Sequence, residues 1–172
     1  MAKHIELRRH TDNDGDLLTA DGIAAAVALG RRLKGGYQLA VSTGAQRATQ
    51  TIACLLAGLG ASLPGGVVVE ARLRSQAEDR WKEIATQAKG SELPAFRAVD
   101  AEFVAAEQER LAAGLQAVFD RLDDGQRALV VGHSPTNEAA VAGLTGHDVQ
   151  PLGKGEGVVV ADDDVLSVEP LP

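Results

Sequence analysis

Residues 127–138 read Arg-Ala-Leu-Val-Val-Gly-His-Ser-Pro-Thr-Asn-Glu, an apolar run that gives way abruptly to a polar one. The first six residues predict a β-strand apolar enough to lie in the middle of a sheet. Ser134 then reads as the cap of a following helix, with Pro135 in the first turn, where the missing N–H has no partner to lose. A buried strand that ends on Gly132-His133 and runs straight into a helix is a building block of an open α/β sheet. In such sheets ligands bind at the carboxyl ends of the strands.

The same alternation extends outward in both directions. Residues 4–9 (HIELRR) predict a short first strand. Thr19 can cap a helix running to about Lys34, with Asp21 in its first turn and Ile23, Val27, Gly30 and Leu33 on one face. Residues 38–42 (QLAVS) predict a second strand, and Thr43 with Gln46 fits a capping box opening a second helix. Ile52, Leu55, Leu56 and Leu59 form that helix's buried stripe, and Gly58 and Gly60 mark its end. Residues 67–70 (VVVE) predict a third strand, and Asp100 to Leu122 a long helix with Val104, Leu111, Leu115, Val118 and Leu122 aligned. Two last strands, 156–161 and 164–168, meet at an Asp-rich turn. Residues 71–99 are polar around Trp81; one helix over 77–88 fits, and so does a lid or loose excursion. The order predicts a three-layer α/β/α fold with a mostly parallel central sheet of about five to six strands, in one domain over residues 1–172.

Composition narrows the function classes. The chain is 45% hydrophobic but 3% aromatic, so Ala, Val, Leu and Ile must build the core. With 17 basic and 24 acidic residues the net charge is -7, and no basic stripe marks a nucleic-acid partner. The single Cys54 excludes an internal disulfide and sits in an apolar helical run, as a structural thiol does. The opening MAKHIELRRH has no apolar signal segment and no stretch has transmembrane length, so a cytoplasmic protein without a membrane partner is expected. Residues 12–16 (DNDGD) fail as a calcium loop, because Leu17 takes the required glycine's place, and read as a solvated turn. Residues 153–157 (GKGEG) precede a strand rather than a helix, which argues for a turn and against a phosphate loop. His4 reads as a strand residue and His147 as a loop residue.

Three strand ends carry the chemistry. The first delivers Arg9 and His10, the second Arg47 one helical turn on, and the third His133. Guanidinium forks bind phosphate through paired hydrogen bonds, and the helix N-termini after residues 43 and 134 add oriented N–H groups.

Four segments in order then resemble the histidine phosphatase superfamily, which includes the cofactor-dependent phosphoglycerate mutases. ELRRHT is similar to its Leu-x-Arg-His-Gly signature, and LTADGIAAAVALGRRL to its Leu-Thr-x-x-Gly helix. VSTGAQRATQTI is similar to its Ser-x-x-x-Arg-x-x-x-Thr segment, and ALVVGHSP to the strand bearing its second histidine. The resemblance implies a phosphoglycerate mutase-like fold and a phosphatase in which His10 is the nucleophile. It implies that Arg9, Arg47 and His133 hold the phosphoryl oxygens, with Thr43 (beside Ser42) and Ser134 in the substrate-binding set. Neighbouring arginines would keep His10 unprotonated, and their charge would remove the need for a metal or cofactor.

The chain departs from the family pattern at Thr11 and Ser134, where glycines are usual, and its His-Ser-Pro looks like the short SixA-type phosphohistidine phosphatases. Aligning Leu73, Arg74 and Trp81 puts Ser75 where the family's acidic glutamate stands. Of Glu78, Asp79 and Glu83, Glu78 is the best displaced acid. A site without a strong acid suits a phosphoramidate, so a protein phosphohistidine is the leading expected substrate and partner. A small-metabolite phosphatase acting on sugar phosphates or nucleotides, or a phospholigand-binding module without turnover, stays open.

Overall fold

Alternation along the first strand divides the molecule. In β1 (Lys3–Arg9), Ile5 and Leu7 face one side of the sheet, and Glu6 and Arg8 face the other. The computed structural model describes residues 1–172. After β1 come a small hairpin, β2 (Asn13–Asp14) and β3 (Leu17–Leu18), then α1 (Ala20–Gly30), β4 (Leu39–Ser42) and α2 (Gln46–Leu59). Next are β5 (Val67–Val69), a 3-10 turn at Ala71–Leu73, α3 (Glu78–Gln87), α4 (Leu93–Val99) and α5 (Ala101–Phe119). The chain closes with β6 (Arg127–Gly132), α6 (Thr136–Thr145), β7 (Gly157–Asp163) and β8 (Val165–Pro170). The central sheet has the order β5-β4-β6-β1-β7-β8; the first four strands are parallel, and β7 and β8 add an antiparallel edge. Helices cover both faces, which is the expected three-layer α/β/α fold.

The larger core lies on the α3–α6 side, where Ile5, Leu7, Val130, Val158 and Val160 of the sheet meet Leu111, Leu115 and Phe119. The smaller one joins Ala40, Leu129 and Val131 to Ile52 and Leu55 of α2. Residues 71–99 are not a loose excursion: α3 and α4 send Trp81, Ile84, Leu93 and Phe96 into the larger core. Trp81 also stacks edge-on against Phe103 at 5.2 Å and Phe96 at 6.0 Å. The second helix, α4, was hidden by its shortness and by Pro94 in its first turn.

Three local expectations are corrected. The α1 helix stops at Gly30, and its buried face is Gly22, Ala26 and Gly30, whereas Ile23 is 44% exposed. Small residues face inward because other backbone lies against them: a Cβ on Gly30 would lie 2.2 Å from the Leu55 carbonyl oxygen of α2, and one on Gly22 2.0 Å from the Asp12 carbonyl oxygen. Thr43 does not cap α2, which starts at Ala45 with no capping bond from its own side chain. Asp16 supplies the bonds instead, accepting from the Gln46 and Arg47 amides at 3.2 and 3.4 Å. Ser134 does not cap α6 either, because Pro135 is the N-cap and the serine hydroxyl donates to Glu138.

The α1–α2 contact gives a clean test. In a free helix, Gly→Ala gains about 1 kcal/mol of helix propensity. At Gly30 the clash is with backbone, which cannot rotate away, and overpacking of this kind costs about 1–3 kcal/mol or more. Gly30→Ala is therefore expected to destabilise the protein by about 2 kcal/mol in urea unfolding; a stabilised variant would show that the two helices slide apart freely.

Candidate active site

Parallel register assembles the site. Arg9 pairs with Gly132 across β1 and β6, and Ser42 with Val131 across β4 and β6, so His10, Thr43 and His133 leave the sheet side by side. The His10 amide donates to the Gly132 carbonyl at 3.0 Å. Asn137 ties the two strand ends together: its Oδ1 accepts from the His133 amide at 3.2 Å, and its Nδ2 donates to the Arg8 carbonyl at 3.0 Å. Gly132 is required here, because a Cβ would sit 2.3 Å from Asn137 Oδ1.

His10 is buried, with Nδ1 2.8 Å from the Thr11 carbonyl oxygen. A carbonyl only accepts, so Nδ1 carries the proton and Nε2 keeps its lone pair. Burial holds the His10 pKa below the usual histidine value, and the charges of Arg47, Arg9 and Lys154 add to that. The neighbouring arginines expected to lower this pKa do so, and burial is the larger cause. The His133 ring stands edge-on to His10 with centroids 5.4 Å apart. Its Nε2 meets Thr43 Oγ1 at 2.8 Å, and its buried Nδ1 has no partner. Burial, then Arg47 and His10, push the His133 pKa down to about 3, so both imidazoles are neutral near pH 7. Thr11, in the place of a glycine, pins its loop by donating to the Gly22 carbonyl at 2.8 Å.

Beside these rings lies a cleft of ≈ 250 Å³. Arg47, His133 and Ser134 form its sheet side, and Ser75, Glu78, Trp81 and Lys82 form the side toward α3. Four of the expected residues thus meet at one cavity: Arg47, His133, Ser134 and Glu78. The others adjoin it. His10 packs edge-on against the cleft-lining His133. Thr43 is buried and supports His133 rather than facing the cleft. Arg9 is off the cleft, donating through Nη1 to the Leu152 carbonyl at 2.9 Å, and its charge reaches His10. Arg8 points to the opposite face, into a buried cluster with Glu6, Tyr37 and the Gly155 carbonyl.

Arg47 is ion-paired with Asp16 at 2.8 Å. Burial pushes the Asp16 carboxyl up, but the Gln46 and Arg47 amides and the Arg47 guanidinium together hold it below the usual carboxylate range. The DNDGD stretch, expected as a solvated turn, is therefore a hairpin that hands Asp16 to the site. Composition around residue 16 holds no signal for this, because the partner lies 31 residues away.

Three further carboxyls surround the cleft. Glu78 is ion-paired with Arg74 at 2.8 Å. Glu107, on α5, accepts from the Ser75 hydroxyl and from the Trp81 indole N–H at 2.8 Å. Glu138, 2% exposed on the first turn of α6, accepts from Ser134 Oγ at 2.5 Å, and its Oε1 has no partner. Burial pushes Glu138 up to about 7, against the Ser134 hydroxyl, nearby amides and the Arg9 charge, which favour the ionised form. Sequence patterns point to neither Glu107 nor Glu138, because Glu107 reaches Ser75 across 32 residues and Ser134, the partner of Glu138, reads as a helix cap.

The shift of Glu138 has a definite sign. Its folded pKa lies above the ordinary glutamate value of 4.5, so the folded state holds a proton that the unfolded chain releases. That stability is fully present below about pH 4.5 and is lost as pH rises through about 7, a difference of roughly 3 kcal/mol. Glu138→Gln, which cannot ionise, is expected to gain on wild type by about 2 kcal/mol between about pH 5 and pH 8 in urea unfolding. A difference that does not vary with pH would show a carboxyl with an ordinary pKa.

No protein with a curated description matches the chain in sequence. Solved structures match its fold over nearly its whole length. Phosphoglycerate mutase from Bacillus anthracis superposes with a TM-score of 0.71 at 16% identity, covering 99% of this chain and 92% of that one. A mycobacterial glucosyl-3-phosphoglycerate phosphatase gives 0.66 at 19% identity, covering 99% and 97%. The α-ribazole phosphatase from Shigella flexneri gives 0.66 at 18% identity, covering 98% and 95%. With the sheet, the paired histidines and Arg47 in place, residues 2–157 also match the family model described as histidine phosphatase superfamily (branch 1), and the chain belongs to that superfamily.

Proposed function

We propose that the protein is a metal-independent phosphohydrolase that passes a phosphoryl group through His10. The observation that carries this reading is the bond from His10 Nδ1–H to the Thr11 carbonyl, which leaves Nε2 as a free, neutral nucleophile. Attack of Nε2 on phosphorus forms a phosphohistidine and expels the leaving group; water then attacks the phosphohistidine and releases phosphate. Arg47 has guanidinium N–H groups beyond the one held by Asp16, and these meet the phosphoryl oxygens. His133 lines the cleft as a neutral imidazole, and the charge of Arg9 adds to that of Arg47. Because Arg47 and Arg9 supply the positive charge, this reading calls for no metal or cofactor.

The substrate that best suits the cleft is the phosphomonoester of a small molecule. A cavity of ≈ 250 Å³ partly roofed by α3 accepts a phosphoryl group and a few further atoms, and Lys82 offers a second positive group at its mouth. The mycobacterial and Shigella phosphatases named above are described as acting on small phosphorylated compounds. A protein phosphohistidine is the second reading. It is favoured by the absence of a free carboxyl on the cleft wall, since Glu78 is tied to Arg74 and a phosphoramidate needs little help from an acid.

His10→Ala is expected to abolish turnover without loss of fold, and brief labelling of wild type should trap an acid-labile phosphoenzyme at His10. Arg47→Ala should lower kcat/KM by about a hundred- to a thousand-fold, as loss of a donor to a transition-state oxygen does. Chelator should change nothing. A panel of sugar phosphates, aryl phosphate and phosphohistidine peptide ranks the two substrate readings. Full turnover by His10→Ala would end this mechanism.

A further inference from the structure

We propose that Ser134 and Glu138 form a proton shuttle for both halves of the reaction, with Ser134 touching the leaving oxygen and Glu138, behind it, holding the proton. This rests on the reading of His10 as nucleophile.

Ser134 lines the cleft next to His133, and its hydroxyl bonds to Glu138 Oε2 at 2.5 Å. The spacing of four residues brings the two side chains together where the chain enters α6. Glu138 is sealed from water, and one of its oxygens is unpartnered. A buried carboxylate with an orphan oxygen is expensive, and a neutral acid far less so. The groups acting on it are the Ser134 hydroxyl, its own amide and that of Leu152, and the Arg9 guanidinium from β1; burial outweighs them and leaves its pKa at about 7, where a proton is gained and lost with equal ease.

The pair has two states. With Glu138 protonated, its O–H donates to Ser134 Oγ, and the serine hydrogen turns into the cleft. With Glu138 ionised, Ser134 donates back to it and offers a lone pair to the cleft. In the first half-reaction the Nε2–P bond forms and the P–O bond to the leaving group breaks. The leaving oxygen takes the Ser134 hydrogen, and Ser134 takes the proton of Glu138. In the second, water oxygen bonds to phosphorus as the P–Nε2 bond breaks; the water proton goes to Ser134, whose own hydrogen returns to Glu138. Each cycle restores the starting state.

The rival carboxyls are committed elsewhere. Glu78 is paired with Arg74. Glu107 receives two donors on one oxygen, and Ser75 Oγ both donates to it and accepts from the Ala77 amide at 3.0 Å, which makes that pair a latch between α5 and the start of α3.

The test compares steady-state turnover of an alkyl phosphate and p-nitrophenyl phosphate, whose phenolate leaves without a proton. Ser134→Ala and Glu138→Gln are each expected to cut the alkyl-to-aryl kcat/KM ratio, which reports only the steps through phosphoryl transfer to His10, about a hundred-fold, and the double variant no further. Glu138→Gln should also lose the wild-type pH-rate limb near 7 and show a burst of one phenolate per enzyme, because its phosphoenzyme forms but drains slowly. Glu138→Asp should recover part of the ratio. Ser134→Ala removes no backbone bond and serves as the variant certain to fold, checked by its melting temperature. A phosphohistidine trapped at His10 together with an unchanged ratio in Ser134→Ala overturns the shuttle alone, as does a loss confined to Ser75→Ala and Glu107→Gln. Absence of any phosphoenzyme in wild type overturns the nucleophile and the shuttle together.

Discussion

Asn137 closes the seam between β1 and β6, and the site is built on that seam. Its amide oxygen takes the His133 N–H and its amide nitrogen gives to the Arg8 carbonyl, so one side chain satisfies a buried donor on one strand end and a buried acceptor on the other. Removing it would leave the buried His133 amide without a partner, at about 1–3 kcal/mol. The seam places the two imidazoles 5.4 Å apart without any direct bond between them. It also fixes where α6 begins, and through that the relation of Ser134 to Glu138. Gly132 follows from the same constraint, since the amide of Asn137 occupies the space a side chain would need.

Two effects then act in the same direction on the histidines. Burial disfavours the imidazolium, and so do the arginines around it. For His10 burial is the larger effect, so the imidazole stays unprotonated by virtue of the fold itself, before any charged neighbour is counted. In the proposed mechanism the arginines are thereby left to act on the phosphoryl group. Arg47 is held in place from two sides, by its own helix and by Asp16 from the β2–β3 hairpin, and Asp16 binds the first amides of α2 as well. One carboxylate thus positions the guanidinium and caps the helix that carries it.

Much of this was legible in the sequence because it is local. Strand ends at Arg9, Ser42 and Gly132 are marked by apolar runs that stop, and the parallel order follows from alternation of strands and helices. The family resemblance points to His10, Arg47 and His133, and these three lie near one another at the carboxyl ends of the parallel strands. What escaped was tertiary. Gly22, Ala26 and Gly30 form the buried face of α1 because other backbone lies against them, and periodicity of large apolar residues pointed to Ile23 instead. Thr43 and Ser134 have the composition of helix caps, but each has a stronger partner across the fold, the His133 ring for one and the Glu138 carboxyl for the other. Asp16 and Glu107 meet their partners across 31 and 32 residues, beyond the reach of any local pattern.

The placement of the carboxyls carries the electrostatic argument one step further. The chain has a net charge of -7, yet the proposed reaction requires its cleft to attract a phosphoryl anion and keep two imidazoles neutral without repelling the substrate. Four carboxyls stand around that cleft. Asp16 and Glu78 are each neutralised by an arginine, Arg47 and Arg74. Glu107 and Glu138 are each withdrawn behind a serine, so that a hydroxyl and not a carboxylate faces the cavity. A carboxylate set directly on the wall would repel the phosphoryl oxygens and raise the pKa of the neighbouring imidazoles. Setting it one hydroxyl back removes the charge from the wall, and in the proposed shuttle it keeps a proton within reach that burial of Glu138 makes available near neutral pH.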